Sequence, residues 1–141
     1  MKRTDLAYIA GIVDGEGYIG ITADGKRRRA KHGKDNLRLR VTVTNTNEWL
    51  CQYLKFSFGG GKVLLRTQSP NHRPCWQWQV DYGKAADFLK LILPYLHLKK
   101  PQAELAIKFQ EAKGRSTRVL DEKKRAVEEA QRISMQDMKR A

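Results

Sequence analysis

Cysteine, histidine and acidic side chains are scarce in this 141-residue chain, with 2, 3 and 15 of them against 28 lysines and arginines. Cys51 and Cys75 stand at no metal-ligand spacing and outline no disulfide framework, so both read as buried thiols of a reducing compartment. His32, His72 and His97 are scattered among basic or turn residues, an arrangement that argues against a zinc site. Long apolar runs are missing as well. Nothing reaches the length of a membrane span, and the first residues hold no signal-peptide apolar stretch, so a protein that is intracellular, not secreted and not membrane-bound is expected.

What is present in excess is positive charge. A formal net charge of +13 points to a polyanionic partner: DNA, RNA or an acidic membrane surface. The charge is concentrated. Between Asp24 and Arg40 stand Lys26, Arg27, Arg28, Arg29, Lys31, Lys34, Arg38 and Arg40, opposed only by Asp24 and Asp35. The length predicts one domain, 1–141, with a sizeable core.

The most informative segment is Ile9-Ala10-Gly11-Ile12-Val13-Asp14-Gly15-Glu16-Gly17. It ends a helix expected to open at Thr4-Asp5 as N-cap and acidic first turn. Leu6, Ile9, Ala10 and Val13 follow i, i+3, i+4, i+7 spacing and form a packing face. Ala7, Gly11 and Gly15 lie four apart on another face, a row of small residues that lets a second helix approach closely. Asp14 and Glu16 close the helix where the macrodipole is already negative, so a cation is expected to join them. If the row packs on its own copy, two Glu16 side chains converge in an oxygen-rich nest suited to a hard divalent ion such as magnesium.

Downstream, alternation predicts strands. Residues 18–23 put Ile19 and Ile21 on one side and Gly20 and Thr22 on the other. Residues 36–44 point Leu37, Leu39, Val41 and Val43 inward and Asn36, Arg38, Arg40 and Thr42 outward. Arginines beside amide and hydroxyl groups are what contacts to phosphates and base edges require. A helix follows the capping residues Asn45-Thr46-Asn47, with Trp49, Leu50, Tyr53 and Leu54 at helical spacing, and ends at Gly59-Gly60-Gly61. A third strand over 62–68 turns Val63 and Leu65 inward and Lys62, Leu64 and Arg66 outward. A fourth over 75–81 puts Trp76, Trp78 and Val80 in the core and Gln77 and Gln79 on the opposite face, with the reverse parity, tryptophans outward, as the alternative. Helices are then expected at 83–93, stopped by Pro94, at Lys100-Pro101 onward with Ala103, Leu105, Ala106 and Phe109 packing, and at 119–133 as a charged, solvated cover.

The nonamer resembles the signature of the LAGLIDADG homing endonucleases, with Ile for the first Leu and Glu for the second acid, and the resemblance reaches from about Thr4 to Phe109. It implies an α+β fold: an αββαββα core (about 4–113) whose curved four-stranded antiparallel sheet binds DNA, plus C-terminal helices (about 115–141). A single motif implies a homodimer, joined through Ala7, Gly11 and Gly15, on a partly palindromic double-stranded DNA site. The implied activity is hydrolysis of phosphodiesters with Mg2+ or Mn2+ to leave staggered ends. By the same resemblance Glu16 binds the metal and the Gly15 carbonyl is a further ligand. Asn45 matches a polar position that orients water, although it also suits a helix N-cap. Lys99, in Pro94-Tyr95-Leu96-His97-Leu98-Lys99, matches the family's lysine, with Lys100 the substitute if the register slips by one. An arginine found early in the second helix of some relatives has no counterpart here; Glu48 and Trp49 stand nearby. The expected DNA-binding set is Thr22, Lys26, Arg28, Asn36, Arg38, Arg40, Thr42, Lys62, Arg66, Gln77 and Gln79. An organellar, prokaryotic or phage setting fits the family. A binding-only relative, or a maturase acting on RNA, remains the alternative.

Overall fold

The structure, a computed structural model, describes residues 1–23, 36–67, 69–113 and 122–140. The order is α1 (Arg3–Glu16), β1 (Gly17–Ala23), β2 (Leu37–Asn45), α2 (Glu48–Phe58), β3 (Lys62–Arg66), β4 (Cys75–Asp81), α3 (Tyr82–Ile92), α4 (Lys100–Lys113) and α5 (Glu122–Arg140), with a short 3-10 turn over Leu93–Tyr95. This is the expected α+β architecture.

The four strands form one antiparallel sheet in the order β1-β2-β4-β3. Alternation places Ile19, Ile21, Leu39, Val41, Val43, Trp78 and Val80 under the helices, where all are buried. The tryptophans of β4 therefore face the core, as expected. The Trp78 indole packs edge-on to Phe58 and Phe88, and its Nε1–H donates to the Gly60 carbonyl at 3.1 Å, so the polar tip of a fully buried ring is satisfied.

α1 starts at Arg3 with Lys2 at the N-cap, two residues earlier than the sequence suggests. Asp5 still serves the helix start, accepting the Lys2 backbone N–H at 3.3 Å, which satisfies a donor the helix leaves open. Ile9, Ala10 and Val13 are buried; removing one such branched side chain from water stabilises by about 1.5–3 kcal/mol. At the other end Gly17 lets β1 leave tightly, because a Cβ there would stand 2.7 Å from the Val13 carbonyl oxygen.

Three expectations need correction. β3 ends at Arg66, and Leu65, expected inward, is 55% exposed; β3 is an edge strand, and burial falls away along it. Cys51 is buried, and burial pushes its thiol pKa up, but Cys75 is only half-buried at the start of β4. α5 is no solvated cover. It runs seven residues past Ile133, buries Met135, and packs on β1 and α4. Lys113 of α4 meets Glu128 of α5 at 3.2 Å with both side chains largely buried, a pairing whose removal on one side strands the other charge.

Candidate functional site

The end of α1 gathers the expected catalytic residues. Glu16 is exposed and its Oε2 accepts a hydrogen bond of 2.8 Å from Asn45 Nδ2, at the last position of β2. The other end of that amide, Oδ1, accepts the Asn47 N–H at 2.8 Å. Asn47 itself is the N-cap of α2, taking the Trp49 N–H at 3.0 Å. Asn45 thus shapes the turn and also reaches the acid, while the capping expected of it belongs two residues on.

Lys99 converges on the same helix end. Its Nζ donates to the carbonyls of Val13 and Asp14 at 3.1 and 3.0 Å, just before the Gly15 carbonyl. It supplies the cation that the helix macrodipole demands. The Asp14 carboxylate accepts the backbone N–H groups of His97 at 2.8 Å and Lys99 at 3.0 Å. Burial pushes the Asp14 pKa up, but the backbone donors of His97, Lys99 and Leu98, aided by the His97 charge, outweigh it and hold the carboxyl below its ordinary range. The two acids are therefore different: Asp14 clasps the 97–99 segment onto α1, and Glu16 projects outward. Of the alternatives Lys99 and Lys100, Lys99 is the one at the acid pair.

Ala7, Gly11 and Gly15 are all exposed, and a Cβ built on either glycine meets nothing within 4 Å. A shallow depression along this row is lined by Ala7, Tyr8, Gly11, Ile12, Gly15, Glu16 and Leu50. Beside it Trp49, which the sequence had placed at packing spacing, is 59% exposed and stacks on the half-buried Tyr53, which meets the exposed Tyr8 edge-on. Of the expected packing positions of α2, Leu54 is buried together with Cys51, and Leu50 and Tyr53 are half-buried against the core.

The sheet face away from the helices carries Thr22, Arg38, Arg40, Thr42, Gln77, Gln79 and Asp81, with Lys62 and Arg66 exposed on β3 and Asn36 just ahead of β2. Lys26, Arg28 and the rest of the 24–35 run lie outside the described residues. Gln79 has the expected parity but is only 3% exposed, and its amide accepts from Gln77 and donates to Asp81. It cannot meet a base as it stands. Asp81, which sequence reasoning missed, also takes Arg40 in a bidentate pair at 2.7 and 3.1 Å. Extending the β4 alternation by one step past Gln79 would have placed it there.

Among the described residues no three His, Cys, Asp or Glu side chains cluster at metal-binding distance. What the α1 end offers is one exposed carboxylate next to helix-end carbonyls, all hard oxygen donors. That chemistry fits a divalent ion once a second carboxylate joins.

No family model and no curated protein matches this sequence. Solved structures do. The homing endonuclease I-CvuI, crystallised with its target in the presence of calcium, superposes with a TM-score of 0.75 at 20% identity, covering 96% of this chain and 82% of its own. The archaeal intron-encoded homing endonuclease I-Vdi141I, complexed with DNA, gives 0.76 at 18% identity over 96% and 84%. The meganuclease I-SmaMI bound to uncleaveable DNA gives 0.74 at 17%, covering 93% of this chain but only 44% of its own length. I-SmaMI is described as a LAGLIDADG homing endonuclease. On element order, sheet topology and these superpositions, the chain has the LAGLIDADG homing-endonuclease fold.

Proposed function

We propose that this protein is a single-motif LAGLIDADG endonuclease that binds double-stranded DNA as a homodimer and cuts both strands with a divalent metal ion. The observation that carries the reading is the α1 terminus. There an outward carboxylate, Glu16, held by Asn45, adjoins an open row of Ala7, Gly11 and Gly15 that a second copy can cover. The half-length match to I-SmaMI supports pairing, since that chain is long enough to hold two such units. The basic sheet face supports a duplex partner.

In such a dimer the two Glu16 carboxylates, with the Gly15 carbonyls, would hold Mg2+ or Mn2+, which would supply Lewis-acid polarisation of the phosphate and activation of water. The chain's own residues do the remaining work. Asn45 fixes the Glu16 rotamer and offers a polar edge to water. Lys99 neutralises the carbonyl end of α1 and would offer a positive charge to negative charge that develops at the reacting phosphate. Asp14 sets the position of Lys99 through its backbone. Arg38, Arg40, Thr42, Lys62 and Arg66 meet the duplex along the sheet, and Thr22, Asn36 and Gln77 flank them.

The test is cleavage of duplex DNA carrying a site selected by the protein from random sequence, with and without magnesium. Metal-dependent double-strand breaks at the centre of that site support the reading. A protein that binds the duplex and leaves it intact with magnesium or manganese contradicts it.

A further inference from the structure

Asp81 occupies the N-cap position of α3, where an aspartate side chain normally accepts a backbone N–H of the first turn. Here it makes no such bond. Its carboxylate turns onto the open sheet face and takes three side-chain donors. Arg40 Nε and Nη2 reach Oδ1 and Oδ2 at 2.7 and 3.1 Å, and Gln79 Nε2 reaches Oδ2 at 3.1 Å. Gln77 Nε2 then donates to Gln79 Oε1 at 3.3 Å. The backbone register explains the meeting, because Arg40 on β2 lies directly opposite Asp81 on β4.

We infer that Asp81 is a specificity-setting positioning residue that holds Arg40 for recognition of a guanine, an inference resting on the DNA-binding reading above. A guanidinium has five N–H donors in a rigid fork. The Nε/Nη2 edge is occupied by Asp81, so the Nη1/Nη2 edge remains for a ligand. That edge presents two parallel donors, the pattern that matches O6 and N7 of guanine in the major groove. Both partners are about one-fifth exposed, so the fork is restrained by packing as well as by the ion pair. An arginine free to rotate would satisfy any nearby phosphate; one fixed against a carboxylate loses that option and keeps its base preference. The carboxylate also repels phosphate, so it lowers affinity for all sequences while sharpening the choice among them.

Selection from a pool of duplex DNA of random sequence, metal omitted and sequenced before and after, tests this with Asp81→Asn, Arg40→Ala and Arg40→Lys. Wild type should select a guanine at one position per half-site. Asp81→Asn should bind the pool several-fold more tightly yet lose that preference by roughly tenfold or more. Arg40→Lys keeps a cation for Asp81 but has no planar fork, and should lose the same preference with its melting temperature close to wild type. Adding Asp81→Asn to Arg40→Ala should change the selected sequence no further. An Asp81→Asn or Arg40→Lys variant that keeps the wild-type preference overturns the inference. A wild-type protein that retains no duplex at low salt overturns the DNA-binding reading itself, a separable result.

Discussion

Asn45 is held at both ends of its amide, and that makes it a sharper probe of the site than a surface residue would be. Asn45→Asp replaces the donor to Glu16 by a second carboxylate at about the same distance. Two like charges then repel each other across the gap that the hydrogen bond had closed. The cleavage rate at neutral pH should therefore fall with duplex binding retained; an unchanged rate would show that Asn45 serves only the turn. Asp14 works through stability instead. Its pKa is held below the ordinary carboxylate range, so its clasp contributes stability above about pH 4 and loses it as pH falls through the lowered value. Asp14→Asn should melt earlier than wild type at neutral pH, by the equivalent of about 1–3 kcal/mol for lost charge-assisted hydrogen bonds. The gap should close in acid, as denaturant curves at several pH values would show.

At the scale of elements, α1 and α5 carry the testable consequences. Gly11 is exposed with open space around it, so Gly11→Leu leaves the single chain folded. In the proposed dimer it forces the helices apart, and sedimentation should show the variant as a monomer where wild type is a dimer. A wild type that sediments as a monomer with DNA present contradicts the pairing. For α5, Lys139 places its ammonium 3.6 Å from the centre of the Tyr18 ring. Burial, then the charge of Lys99, push its pKa down to about 8 from 10.5. Between those two values only the unfolded chain retains the proton, so this group makes stability rise with pH across that window. Lys139→Met should remove that rise in melting curves taken from about pH 7.5 to 10.5. The two helices also differ in how readable they were. α1 announced itself through a fixed order of small, apolar and acidic residues, because its packing, its row and its acids all have spacing. α5 did not, because Met135, Glu128 and Lys139 find partners only across the fold, on β1 and α4. Strand parity in β2 and β4 was legible since alternation fixes which face is buried. Leu65 and Trp49 misled because neither strand alternation nor helical spacing says where the covering layer ends. Asp81 went unnoticed because its partner lies 41 positions away and only the register joins them.

At the scale of the whole molecule, charge and symmetry meet. A net charge of +13 per chain, doubled in a dimer, predicts duplex affinity that falls steeply with salt, since each phosphate neutralised adds about 0.9 to the logarithmic slope. Sheet residues such as Arg38 should lower that slope by about one when replaced by alanine, whatever the sequence bound. In the proposed dimer the sheet is assigned position and choice of site, and the paired α1 ends the chemistry. Glu16 is the residue on which that division depends, and its exposure means Glu16→Gln should leave folding within about 0.5 kcal/mol of wild type. The most direct measurement is therefore a paired one: duplex binding and magnesium-dependent cleavage, wild type against Glu16→Gln, on the same selected site. The account predicts equal or tighter binding by the variant, because a charge repelling phosphate is gone, together with loss of both strand cuts. Cleavage by Glu16→Gln at the wild-type rate would place the chemistry elsewhere and contradict it.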